Sequence, residues 1–173
     1  NYEDKFGGLK LETPNVLGQF QLENMSTAIA TLRTLELGIS DNHIKEAITK
    51  IKSIARLQEI KSGKLKDLVK NNKLIVDGSH NEHGAQVLNE YLQSLDCNKH
   101  MIIGMMANKN HEKYISYFKN ISSITTIDIR NQNNAISGLE LKDKFKNQSN
   151  VKYEKSIEQA IKSIDLKDGD LLL

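Results

Sequence analysis

The densest group of side chains able to do chemistry lies in LIVDGSHNEHGA, residues 74–85. Asp77 directly follows an apolar run, so its carboxylate is expected at the carboxyl end of a buried strand. Gly78 allows a tight turn, and Asn81 is placed to cap the helix that follows. A carboxylate so placed can accept two hydrogen bonds from a ribose diol, with His80 packing or hydrogen-bonding beside it. The same residues also suit a plain strand-to-helix turn in which Asp77 and Asn81 bind only backbone. A third reading makes Asp77, His80 and His83 metal ligands, because two histidines three apart can share one helical face. Against it, His80 precedes the cap residue, and no cysteine or additional histidine is spaced nearby to complete a set. His43, His100 and His111 stand alone and read as solvent-facing.

Several other chemistries find no support in the sequence. The one Gly-Lys pair, Gly63-Lys64, lacks both the upstream glycine and the following Ser or Thr of a phosphate-binding loop. No GxGxxG and no serine elbow occur. Cys97, in a polar SLDCNK turn, is the one cysteine in the sequence, so neither an internal disulfide nor a thiol-rich zinc site is available, and a reducing, cytoplasmic setting is expected. Lys and Arg number 24 against 22 Asp and Glu, a balance that does not suggest nucleic acid as a partner. The lysines are spread among acids, as on solvated helix faces. No run of about 18 apolar residues could span a bilayer, and the first residues lack the order of a signal peptide.

The elements that must position these residues can be read from periodicity. Residues 1–17, with Gly7, Gly8 and Pro14, read as an irregular or hairpin-like lead-in. Met25, Ala28, Ile29, Leu32 and Leu35 recur at helical spacing, with Gly38 placed as a C-cap. Ser40 or Asp41 can cap a second helix with the stripe Ile44, Ala47, Ile48 and Ile51. From about Lys73 onward short apolar runs alternate with helical patterns, in the order β-α-β-α-β-α-β-α-β. Ser137 stands three residues before Glu140, and Ser156 three before Gln159, the spacing of capping boxes. Such alternation predicts an α/β fold: a mostly parallel sheet with flanking helices and every strand's carboxyl end on one rim. Ligands of open sheets bind along that rim. The chain opens on Asn1 and closes on DGDLLL, and is expected to continue both upstream and downstream.

Four blocks now resemble one family in order. VLGQFQLENMSTAIATLRTL resembles G-x-H-Q-x-x-N-A-x-x-A of folylpolyglutamate synthases, which often act also as dihydrofolate synthases. ARLQ resembles their G-R-L-Q, VDGSHNEHGAQVL their D-G-A-H-N-P-x-G, and IIGMMANKN the strand, Gly-Met and Lys-Asp that follow. IRNQNNAISGLELKD is a weaker echo of a later segment. Phe20, Ala55, Glu82 and Asn110 depart from the family's His, Gly, Pro and Asp.

The resemblance implies part of an ATP-dependent amide ligase of the Mur ligase superfamily, serving folate biosynthesis and one-carbon metabolism. Residues 1–53 would be the helical tail of the central ATP-binding domain, and 54–173 the Rossmann-like carboxy-terminal domain. The phosphate-binding loop and the Mg2+ ligands would lie in the missing amino-terminal part, so this chain alone is expected to be inactive and supplies no catalytic residue. Folate or dihydropteroate and L-glutamate are the implied substrates. Asn24, Arg56 and Asp77 match family residues that contact ATP, with His80 beside Asp77. The runner-up is an inactive remnant that at most binds nucleotide.

Overall fold

The computed structural model describes residues 1–35, 37–145 and 148–173. Glu36, inside the segment read as the first helix, and Lys146 and Asn147 lie outside the described residues. The chain forms two compact units, Asn1–Gln58 and Glu59–Leu173.

In the first unit β1 (Tyr2–Asp4) and β2 (Gly7–Leu9) form an antiparallel hairpin, with Tyr2 opposite Leu9. Helices α1 (Gln19–Thr34) and α2 (Asp41–Lys50) follow. Leu9, Ile29, Ile44 and Ile48 make the core, with Met25 and Ile51 packed against it. The expected stripes are narrower than the periodicity suggested, since Ala28, Leu35 and Ala47 are exposed. Gly38 is not the C-cap of α1: Leu35 takes that position, and Gly38 lies beyond it at φ +68°. Ser40 caps α2 in a reciprocal box with His43, which is solvent-facing as expected. Asp41 is instead paired with Arg33, whose guanidinium also meets Asp4 at 2.7 Å and so ties the hairpin to both helices.

Among the described residues, the second unit carries a six-stranded sheet in the order β3-β4-β8-β5-β6-β7. The strands are β3 (Gln58–Glu59, at the junction), β4 (Lys73–Val76), β5 (Lys99–Ile103), β6 (Ser123–Ile127), β7 (Val151–Glu154) and β8 (Leu171–Leu172). The pairs β4–β8, β8–β5, β5–β6 and β6–β7 are all parallel, as the alternating pattern predicted. The helices are α3 (Lys64–Val69), α4 (Glu82–Gln93), α5 (His111–Ser116), α6 (Gly138–Lys144) and α7 (Ile157–Ser163). Ser137 and Ser156 accept from the backbone N–H groups of Glu140 and Gln159, which is the serine half of the capping boxes their spacing suggested.

Strand order dictates the layers. From β4 to β7 the chain moves one way across the sheet, so right-handed crossovers put α4, α5 and α6 on one face. The return from β7 to β8 runs the other way and sends α7 to the opposite face, where it packs with α3. Val69, Leu74, Ile161 and Leu172 fill the α3/α7 side. The direction of winding reverses at β8, between β4 and β5. Crevices outside strand ends at such reversals are where open sheets bind ligands.

Candidate functional site

The turn between β4 and α4 lies beside that reversal. Asp77 is half-buried, and its Oδ1 accepts the Ser79 N–H at 2.8 Å. His80 is exposed, with Nδ1 3.0 Å from the Gly78 carbonyl oxygen, so its ring folds back over the turn. Asn81 caps α4 by accepting the Gly84 N–H at 2.8 Å. The backbone-binding role read for Asp77 and Asn81 is thus realised, and it fixes the carboxylate at the rim.

A hollow of about 620 Å³ opens here above β8, between β4 and β5. Its walls are apolar, including Ile75, Met101, Ile103 and Leu172, while Asp77, Ser79, His80 and the half-buried Lys109 stand at its polar side. Tyr114 of α5 closes that side, its hydroxyl 3.0 Å from Ser79 Oγ. Burial pushes the Tyr114 phenol up to about 12, against the pull of the Ser79 bond and with the help of the Asp77 charge. It therefore remains a neutral hydrogen-bonding group at any physiological pH. Local sequence does not single out Tyr114, because only the fold brings it to a serine 35 positions earlier.

Asp128, the next carboxylate along the rim, is committed to structure. It accepts Tyr153 Oη at 2.6 Å and the Gly138 N–H at 2.7 Å, bonds that hold it below the usual carboxylate range.

Arg56 and Asn24 belong to the first unit, and both are exposed. Asn24 lies in the second turn of α1. Arg56 donates from Nη1 to the Ala55 carbonyl at 3.1 Å, in a turn closed by Gln58 Oε1 accepting the Ala55 N–H at 3.0 Å. Leu57 anchors this turn, 2% exposed, against Gly18, where a Cβ would come within 2.9 Å of Leu57 Cδ1. Ala55 sits at φ +50°, where the family pattern carries glycine. Left-handed backbone is costly for alanine and nearly free for glycine. Ala55→Gly should therefore stabilise the first unit by about 0.5–1 kcal/mol, measurable by urea unfolding.

Two histidines correct the sequence reading. His100 and His111 are buried rather than solvent-facing. His100 lies on β5, with Nδ1 2.7 Å from Ser123 Oγ and Nε2 3.2 Å from Asp170 Oδ2. With the ring hydrogen on Nε2 facing the carboxylate, Nδ1 accepts from the serine. This Ser-His-Asp chain stands at the amino-terminal ends of the strands, opposite the rim, and braces β5, β6 and the entry to β8. His111 Nε2 binds the Met106 carbonyl at 2.9 Å and pins the loop between β5 and α5. Among the described residues no three His, Cys, Asp or Glu side chains are grouped to hold a metal ion, so Asp77, His80 and His83 do not form one. No helix among them is long and apolar enough to cross a membrane.

This geometry has relatives among solved structures. FolC of E. coli in complex with ADP superposes with a TM-score of 0.81 at 24% identity, covering 100% of this chain and 41% of that one. Folylpolyglutamate synthase of Thermotoga maritima gives 0.73 at 23% identity, covering 96% and 38%. The Mycobacterium tuberculosis enzyme, complexed with ADP and AMPPCP, gives 0.75 at 15%, covering 92% and 38%. The chain thus shares their fold and spans about two fifths of their length. Curated proteins offer no match to the sequence. The family model described as "Mur ligase, glutamate ligase domain" matches residues 55–173. With that match covering most of the sequence and the fold agreeing, the chain belongs to the family of Mur ligase glutamate ligase domains.

Proposed function

We propose that these residues form the carboxy-terminal part of an ATP-dependent ligase that adds L-glutamate to folates or to dihydropteroate-type acids. The observation that carries this reading is the Asp77–Asn81 turn at the sheet's winding reversal, in a chain of this family. Complexes with nucleotide, manganese and L-glutamate, and with DHPP and ADP, are described for proteins of the same fold. We assign residues 1–53 to the tail of an ATP-binding domain and 54–173 to the carboxy-terminal domain. Phe6, Leu22, Leu35, Leu37, Ile39 and Ile54 are all exposed, which supports a first unit that completes its packing within a larger domain. The setting is cytoplasmic, in keeping with a single free cysteine.

In the proposed reaction a folate carboxylate oxygen attacks the γ-phosphorus of ATP and ADP leaves, giving an acyl phosphate. The glutamate amine then attacks the acyl carbon, loses a proton, and expels phosphate as the amide forms. Asp77 accepts from the ribose hydroxyls, with His80 beside it, and Arg56 and Asn24 are assigned as further nucleotide contacts through their guanidinium and amide. These residues position the nucleotide and exclude water from it. Mg2+ is assigned to the amino-terminal part of the whole ligase, as the family resemblance implies.

In the whole ligase, Asp77→Ala and Arg56→Ala should each raise the ATP KM about 10–100-fold, the loss of a charge-assisted bond, with kcat changed less. Normal KM and kcat in both variants would end the assignment. The 173 residues alone should show no glutamylation. The departures from the family pattern at Phe20, Ala55, Glu82 and Asn110 support, as a second reading, an inactive remnant that at most binds nucleotide. Nucleotide affinity without turnover in the whole protein would mark it.

A further inference from the structure

The Asp77–Asn81 turn is braced from outside by two neighbouring residues of α5. Ser79 Oγ meets Tyr114 Oη at 3.0 Å, and Glu82 Oε2 meets Lys113 Nζ at 2.8 Å. The first contact grips the middle of the turn and the second grips the first residue of α4. The α5 side is a firm reference. Tyr114 is 4% exposed and lies against Phe118, ring centroids 5.2 Å apart, and His111 ties the helix start to the Met106 carbonyl. The brace falls on the two positions of the turn where this chain and the family pattern differ. Ser79 stands where D-G-A-H-N-P has alanine, and Glu82 where it has proline.

We propose that Tyr114 is a positioning residue whose hydroxyl, acting through Ser79, sets the direction of the Asp77 carboxylate and the His80 ring. The Lys113–Glu82 pair is exposed and adds little by itself. In this chain contacts from α5 do what a ring-locked backbone does at the same place. Proline is well tolerated at the first position of a helix, where its missing N–H has no intrahelical partner and its fixed φ is already helical. Glu82→Pro should therefore substitute for the brace.

The inference rests on the nucleotide reading only for its consequence, so two readouts are needed. Hydrogen exchange of the amides of residues 78–81 in the 173-residue protein tests the brace. Tyr114→Phe and Ser79→Ala should each speed that exchange roughly fivefold, the worth of one hydrogen bond. The double variant should be no faster than either single one, and Glu82→Pro should restore slow exchange in the Tyr114→Phe background. In the whole ligase, Tyr114→Phe should raise the ATP KM about threefold to fivefold at nearly unchanged kcat, again reversed by Glu82→Pro. Unaltered exchange in both single variants overturns the brace. Faster exchange with an unaltered ATP KM, in a protein where Asp77→Ala does raise it, overturns the positioning role. If Asp77→Ala also leaves the KM alone, the nucleotide reading is what fails, and the exchange data decide the brace by themselves.

Discussion

Asp170→Ala should destabilise the second unit by about 3 kcal/mol, the scale expected when several buried donors lose their shared acceptor. Asp170 is 3% exposed and accepts from three donors: the Lys167 N–H at 2.7 Å, Asn98 Nδ2 at 3.0 Å and His100 Nε2 at 3.2 Å. Alanine leaves all three without an acceptor in a buried place, and each unmet donor carries a desolvation cost. Asp170→Asn keeps the shape and one acceptor oxygen, so it should lose less. Urea unfolding of the two variants measures the difference, and equal stability of Asp170→Ala and the parent would show that water takes over these bonds. The same residue gives an acid limb. Burial alone would raise its carboxyl, but the Lys167, Asn98 and His100 bonds outweigh burial and hold it below the ordinary 3.8. Its contribution is thus complete above 3.8 and lost as pH falls from there through the lower folded-state value. In Asp170→Asn stability should vary less with pH across that window.

Phe118→Ala should have a comparable or larger effect, about 3–5 kcal/mol. The ring is 1% exposed, just past α5, and packs at a 57° tilt on Tyr114. Its deletion removes a large apolar surface and leaves a cavity that the surrounding strands and helices can only partly close. Phe118→Leu, which keeps most of the volume, should cost under half as much. Because Phe118 steadies Tyr114, Phe118→Ala and Tyr114→Phe should not be additive in a double-mutant cycle. Additive costs in thermal unfolding would show that the two rings act independently.

Much of the second unit was legible from local signals. Apolar runs of strand length, alternating with helical stripes, announced a parallel sheet, and Asn81, Ser137 and Ser156 marked helix starts through their own side chains. Asp77 and His80 could be placed at the rim because a polar cluster directly after a buried strand has nowhere else to go. What could not be read depends on partners far away in sequence. His100 looked solvent-facing because Ser123 and Asp170, which satisfy its ring, lie 23 and 70 positions off. Tyr114 drew no notice for the same reason, its serine partner lying 35 positions away. The stripes of α1 and α2 overreached at Ala28 and Ala47, since small apolar residues fit a buried or an open face equally well.

The position of β8 has a bearing on how the protein reaches this state. It is made after every other strand, yet it sits between β4 and β5, so the sheet stays split into two leaves until Leu171 and Leu172 slot in. Closing that seam joins segments roughly a hundred residues apart, an entropically slow step. During synthesis both bare leaf edges face the cell's other nascent chains. Chaperone demand and misassembly should therefore concentrate on the interval before the last strand is inserted.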